Sequence, residues 1–199
     1  MDKTFIKFKA GIPENSNPIG KIIDALPSAE AISWENQPSS VFCQYPQVEA
    51  GEYLYRQMID PIHWNNISNE FTPGAFQDVH THGLSVNRFK HTNLEALVAN
   101  AEHRIAQSNQ QNPSNEKRKL LGFIKFNCGE LRNVKLDFEE GRLRVFIVID
   151  TALENDPSHA DVFGVSNCTR SRAVRQNIRR ILFDLGRKGL LGVDGEPRL

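Results

Sequence analysis

Arginines are concentrated in one segment near the end of the chain. The stretch 168–188 carries seven basic residues and a single acidic one, Asp184. Three of the arginines are separated by three and four positions, so on a helix they would form one stripe. Guanidinium groups bind phosphate and carboxylate oxygens in a bidentate manner. The residues expected to contact nucleic acid, a nucleotide or an acidic protein partner are Arg172, Arg175, Arg179 and Arg180. The alternative is a solvated helix face that pairs with carboxylates of the same chain.

A second candidate is the segment DVHTH, in which Asp78, His80 and His82 alternate. In an extended chain alternate side chains point to the same side. Imidazole and carboxylate groups are ligands for zinc and other first-row metals. A fourth ligand would come from His63, His91 or His159. The alternative is a polar loop with solvated or hydrogen-bonded histidines, because no motif of the HExxH kind is present.

A third candidate pairs Arg56, in LYRQM, with Ser85, in GLSVNR. An arginine on one strand and a serine on the next resemble the Arg–Ser–Glu arrangement of ADP-ribosyltransferases. The resemblance implies that Arg56 holds a phosphate of NAD and that Ser85 supports the ribose. It assigns no glutamate, because Glu130, Glu139 and Glu140 do not stand at an obvious strand end. The alternative is an ion-paired arginine and a serine that faces the neighbouring strand.

A fourth candidate is the segment DPSHADVFG, which contains Asp156, His159 and Asp161. If the segment is extended, His159 and Asp161 share a face. A carboxylate beside an imidazole can orient its tautomer and raise its pKa, as general-base catalysis requires. The same pair could equally tie a loop to a strand through a local hydrogen bond.

Other catalytic signatures are missing from the sequence. It contains no GxSxG nucleophile elbow, no GxGxxG and no phosphate-binding P-loop. Cys43, Cys128 and Cys168 are far apart and form no CxxC, which favours reduced thiols in a cytoplasmic protein. Basic and acidic residues number 24 each, so a polyanion site depends on local clustering. No apolar run approaches the roughly 18 residues of a membrane span, so no membrane contact is expected.

Two amphipathic helices and several strands should position these residues. Thr92 and Glu95 have the spacing of a capping box and predict a helix to about residue 108. Apolar residues at helical spacing predict a second helix over 170–185, with Gly186 as its terminator. The predicted strands cover residues 5–9, 40–45, 52–59, 83–89, 119–126, 132–138, 142–150 and 158–165.

These elements predict an α+β fold, with a mostly antiparallel sheet of five to seven strands and both helices packed on it. A hairpin over 132–150 argues for antiparallel pairing, and the uninterrupted apolar run VFIVI predicts a central strand buried on both faces. The whole chain, 1–199, is expected to be one domain. Residues 1–50 form its irregular N-terminal part, with one or two helical turns over 19–26, and residues 186–199 form an irregular tail.

Several short segments together resemble a loose group of small uncharacterised bacterial proteins. The group has an aromatic–Arg pair, a Phe-Pro-Ala-Phe-like loop, an LSV strand and a late Pro-x-His-Ala segment. The matching residues are Phe71, Pro73, Ala75, Phe76, Leu84, Ser85, Val86, Pro157, His159 and Ala160. The resemblance implies a bacterial cytosolic origin and, by analogy, an accessory role in a multi-gene system such as phage defence.

The sequence therefore supports two functional hypotheses. The first is a non-catalytic subunit or adaptor of a bacterial complex, which contacts a protein partner or nucleic acid through the basic C-terminal helix and uses no cofactor. The alternative is an NAD-using, ADP-ribosyltransferase-like enzyme. Its candidate pocket would gather Arg56, His80, His82, Ser85 and His159.

Overall fold

A computed structural model describes residues 19–37, 39, 42–45, 47–168 and 170–198. Its ten strands are β1 (Tyr53–Asp60), β2 (Trp64–Asn65), β3 (Glu70–Phe71), β4 (Leu84–Arg88), β5 (Lys119–Asn127), β6 (Lys135–Phe138), β7 (Gly141–Arg144), β8 (Phe146–Asp150), β9 (His159–Gly164) and β10 (Leu190–Leu191). Six of them form one sheet in the order β10–β5–β1–β4–β9–β8, and every neighbouring pair is antiparallel. The predicted strand over 5–9 lies outside the described residues.

Five α-helices accompany the strands in this part of the chain. They are α1 (Ile19–Ala25), α2 (Ser28–Ser33), α3 (Leu94–Gln111), α4 (Cys128–Asn133) and α5 (Arg172–Arg187), and short 3₁₀ helices cover Trp34–Asn36, Pro73–His80 and Phe89–His91. The predicted α+β class, with a mostly antiparallel sheet and two amphipathic helices packed on it, is confirmed. None of the described helices combines the length and the apolar character needed to cross a membrane.

The helices cover both faces of the sheet because side chains alternate along each strand. On one face, α5 packs through Ile178 and Leu182 on the cluster that contains Leu54 and Ile124. On the other face, α3 packs on the Tyr55 side of the sheet, and α1 and α2 pack on β8 and β9. The site described below lies at the α5 face, where this helix meets the Pro73–His80 segment.

β8 is buried on both faces, as the run VFIVI predicted, but it lies at the end of the sheet and not at its centre. A short helix, Trp34–Asn36, covers its outer edge. The buried carboxylate of Glu35 accepts a hydrogen bond from the backbone N–H of Val148 at 2.8 Å and another from Nε of Arg132 at 3.0 Å. The Glu35 carboxylate therefore pairs a backbone N–H on the outer edge of β8 that no described strand pairs.

Residues 19–37 and 186–198 contain more regular structure than the sequence predicted. The helical turns expected over 19–26 are present as α1, but α2 follows directly after Pro27, which is tolerated at a helix start. The tail forms β10 on the edge of β5, pairing Leu190 with Ile124. Gly186 lies inside α5, where a Cβ would come within 3.2 Å of the Ile124 side chain, so its role is close packing and not termination.

Local hydrogen bonds explain the remaining differences. Asn93, and not Thr92, caps α3 by accepting from the Ala96 N–H at 2.9 Å, since asparagine is the stronger capping residue. Asn127 likewise caps α4 at 3.0 Å from the Glu130 N–H, so a helix occupies the start of the predicted strand 132–138. β6 and β7 form the expected hairpin as a separate two-stranded sheet. Residues 42–45 of the predicted strand 40–45 are not a strand, and Ser40 and Val41 lie outside the described residues.

A buried ion-pair network links the strands near the centre of the sheet. Arg88, which is 1% exposed, donates to both carboxylate oxygens of Glu52 at 2.8 and 2.9 Å and to Asp150 at 2.8 Å. Burial acts to raise the pKa of Glu52, but the hydrogen bonds from Arg88 and from the Glu49 backbone, with the Arg88 charge, outweigh it. The pKa of Glu52 therefore lies below its usual value of 4.5.

This network should make the free energy of unfolding depend on pH in the acidic range. A carboxylate whose pKa is lower in the folded state stabilises the fold above its unfolded pKa, and the stabilisation disappears as the pH falls through the folded pKa. We therefore expect the free energy of unfolding, measured by urea titration, to fall as the pH drops below 4.5. Replacing Glu52 with glutamine should weaken that acid dependence. An unchanged pH profile in the variant would show that Glu52 is not a source of it.

Candidate functional site

α5 exposes its arginines because its apolar side faces the sheet. Ser171 caps the helix by accepting from the Val174 N–H at 3.2 Å, and the buried positions Ile178, Leu182 and Gly186 recur at a spacing of four. Arg172 and Arg180 are exposed, and Arg175 and Arg179 are half-buried. Arg172 and Arg180 therefore lie at the surface as the sequence predicted, whereas Arg175 and Arg179 are partly covered.

Intramolecular ion pairs occupy only part of this basic face. Arg170 contacts Glu139 at 3.1 Å and Glu140 at 3.5 Å. Arg180 lies 3.9 Å from Asp184, and both side chains are more than half exposed, so this pair contributes little. Among the residues that the structure describes, no carboxylate lies within 4 Å of the guanidinium groups of Arg172 and Arg179.

Two of the predicted candidates, the arginine stripe and the DVHTH segment, meet at one cleft of about 460 Å³. The cleft lies between α5, the Pro73–His80 segment with the two residues that follow it, and α1. Its walls are formed by Lys21, Gln77, Asp78, His80, Thr81, His82, Arg175 and Arg179. Arg172 and Arg180 belong to the exposed face of α5 and not to the cleft walls.

A close contact between α1 and the end of the DVHTH segment supplies the third cation, Lys21. The N–H of Gly20 donates to the carbonyl oxygen of Thr81 at 2.5 Å, and a Cβ at position 20 would lie 2.6 Å from the same oxygen. Only glycine allows this approach. Sequence reasoning missed Lys21, because nothing local to residues 19–26 indicates which distant segment α1 contacts.

His80 connects the Pro73–His80 segment to α5. Its Nε2 lies 3.3 Å from the carbonyl oxygen of Arg175. A carbonyl can only accept, so Nε2 carries the proton and donates. Burial, with a contribution from the Arg179 charge, lowers the pKa of His80 to about 4. His80 is therefore neutral at neutral pH, and it positions the first turns of α5 beside the cleft.

The extended geometry that a metal site at Asp78, His80 and His82 would need is not observed. Pro73–His80 forms a 3₁₀ helix, so the side chains of residues 78 and 80 do not alternate as they would in a strand. His159, proposed as a fourth ligand, lies in strand β9, and His91 stacks on Tyr45 with ring centroids 5.0 Å apart. Within 19–37, 39, 42–45, 47–168 and 170–198, no group of three or more histidine, cysteine or acidic side chains could hold a metal ion.

No family model matches this chain, and no curated protein and no solved structure matches it either. The chemistry of the site therefore has to be argued from its own residues.

Arg56 is held by internal contacts. Its guanidinium donates to the carbonyl oxygens of Ser85 at 3.1 Å and Ala75 at 3.4 Å, and it lies 3.6 Å from the Asp78 carboxylate. The residue is only 9% exposed. These contacts fix the Pro73–His80 segment on the sheet, as expected for an arginine with a structural role.

Ser85 and His159 belong to a buried hydrogen-bond chain on the opposite face of the sheet. Ser85 donates to Asp161 at 3.3 Å, and Thr151 donates to the same carboxylate at 2.8 Å. The Thr151 hydroxyl has one proton, so Nδ1 of His159, 2.9 Å away, donates to it. His159 and Asp161 do share a face, as predicted, but Thr151 lies between them. The candidate pocket of Arg56, His80, His82, Ser85 and His159 is therefore not one cavity.

The cleft is cationic. Among the described residues that line it, three are cations, Lys21, Arg175 and Arg179, and one is a carboxylate, Asp78, which lies beside the buried Arg56. Nε of Arg179 is buried and has no hydrogen-bond partner in the described part of the chain. Buried nitrogens without a partner are uncommon, and a bound ion or water is one explanation for them. This arrangement is suited to an anion that accepts several hydrogen bonds.

Proposed function

We propose that this protein is a non-catalytic subunit that binds nucleic acid by its phosphates through the basic face of α5 and the adjoining cleft. The observation that carries the proposal is the position of Arg175 and Arg179. They extend the exposed arginine stripe of α5 into a cleft that also contains Lys21. A row of cations that continues from a helix face into a cleft can follow a line of phosphates.

The charge distribution supports a nucleic-acid partner over a nonspecific electrostatic role. Lys+Arg and Asp+Glu are equal at 24, so the chain as a whole has no formal excess charge to attract polyanions. Attraction must come from the local excess on α5. Arginine is the side chain best suited to phosphate, because its planar fork donates two parallel hydrogen bonds.

The polar groups elsewhere favour a binding role. Arg56, Ser85 and His159 each donate to another group of the protein, and each is part of a network that joins strands or loops. Burial raises the pKa of Cys128 to about 11, so this thiol is a poor nucleophile. These hydrogen bonds give Arg56, Ser85 and His159 structural roles that require no substrate.

A binding titration tests the proposal. Labelled RNA, single-stranded DNA and duplex DNA of one sequence would be titrated with the protein by fluorescence anisotropy from about 50 to 200 mM salt. We expect binding at the lowest salt and a linear fall of log affinity with log salt, because phosphate binding releases counterions. Absence of binding to all three at the lowest salt would contradict the proposal. Binding of polyglutamate instead would indicate an acidic protein partner.

A further inference from the structure

We propose that the cleft beside the arginine stripe binds a phosphate monoester, supplied by the end of a nucleic-acid strand. This inference rests on the proposed nucleic-acid function and extends it, because it assigns a separate task to the cleft. The exposed face of α5, with Arg172 and Arg180, would follow the internal phosphates of the strand. The cleft would recognise where the strand stops.

The charge of the cleft fits a monoester better than an internal phosphate. In the cleft walls, as far as the chain is described, Lys21, Arg175 and Arg179 are cationic and Asp78 is the one carboxylate. Asp78 already lies 3.6 Å from the buried Arg56. A phosphate monoester carries about −1.5 to −2 at neutral pH and offers three strong acceptor oxygens. An internal phosphodiester carries only a single negative charge.

The shape of the cleft also suits a chain end. It is bounded by three different parts of the chain: α1, the Pro73–His80 segment with the two residues after it, and α5. Its volume of about 460 Å³ falls within the range of pockets that hold small molecules. A flat helix face, in contrast, contacts a strand that runs past it.

The hydrogen-bonding groups of the cleft are mostly donors. Lys21, Arg175 and Arg179 donate only, and Gln77 and Thr81 add an amide and a hydroxyl. His80 is neutral, so it adds no charge, and its bond to the Arg175 carbonyl keeps the α5 backbone in place beside the cleft.

The test compares one oligonucleotide with a 5′-phosphate, a 3′-phosphate or hydroxyl groups at both ends. We expect at least one phosphorylated form to bind about tenfold or more tightly than the hydroxyl form, since charge-assisted hydrogen bonds are the stronger class. Lys21→Met should remove most of that difference, because Lys21 lies in the cleft and not on α5. Lys117→Met, an exposed lysine beyond α3, is the matched control and should keep the difference.

The outcomes separate this inference from the proposed function. Equal affinities of the phosphorylated and hydroxyl forms would overturn the terminal-phosphate inference and leave nucleic-acid binding in place. A second arm measures the thermal shift with a nucleoside 5′-monophosphate, which raises the melting temperature if it binds the folded state. A shift that Lys21→Met abolishes, with no binding of any oligonucleotide, would support a monoester site and contradict the nucleic-acid function. No difference between oligonucleotides and no shift would overturn the inference.

Discussion

Replacing Arg88 with methionine is expected to lower the free energy of unfolding by about 3–5 kcal/mol, because it leaves two buried carboxylates without a counter-charge. Arg88 is 1% exposed, and Glu52 and Asp150 are 6% and 2% exposed. Besides these carboxylates, the guanidinium donates to the backbone oxygens of Tyr45 and Gln47. The change should be measured by urea denaturation at neutral pH.

Two further variants isolate the cause of this loss. Adding Glu52→Gln and Asp150→Asn to Arg88→Met should recover part of the stability, because no uncompensated charge then remains buried. Lys90→Met is the matched control. Lys90 pairs with Glu49 at 2.6 Å, but both side chains are at least half exposed, so its loss should cost less than about 1 kcal/mol. Equal losses for Arg88→Met and Lys90→Met would contradict the account of the core.

The second large effect is expected for binding. Replacing both Arg172 and Arg179 with alanine should weaken nucleic-acid affinity by about 100-fold at low salt, if each guanidinium contributes one charge-assisted phosphate contact worth about 1.4 kcal/mol or more. Neither side chain lies within 4 Å of a described carboxylate, so neither replacement breaks an ion pair among the described residues.

A matched control makes this test specific. Lys117→Ala with Lys119→Ala removes the same charge from exposed positions near the end of α3 and the start of β5. That double variant should change affinity by no more than about twofold, because distant exposed charges are screened within a Debye length. Comparable losses in the two double variants would mean that net charge, and not the α5 face, governs binding.

The sequence predicted α5 well because its signal is local. Apolar residues at helical spacing, a serine cap and a row of arginines all lie within one segment, so burial of one side exposes the other. The strands β1, β4, β5 and β9 were also predicted from local patterns. Their order in the sheet could not be predicted, because strand pairing depends on contacts between segments far apart in sequence.

The cleft was only half predictable. Arg175, Arg179 and the DVHTH residues were singled out separately, but nothing in the sequence indicated that they meet. Their meeting depends on the 3₁₀ conformation of Pro73–His80 and on the His80–Arg175 bond. Arg56 was considered for a phosphate because of its residue type, and the structure shows the alternative, an arginine beside a carboxylate. Its actual neighbours, the Ser85 and Ala75 carbonyls, are apparent only once the chain is folded.

The salt dependence of affinity tests the central claim most directly. For single-stranded nucleic acid, each phosphate contact adds about −0.7 to the slope of log affinity against log salt. The account predicts a clearly negative slope for the unmodified protein and a slope shallower by about 1.4 when Arg172 and Arg179 are both alanine. Parallel lines for the two proteins would show that these arginines neutralise no phosphates, and the proposed function would then be wrong.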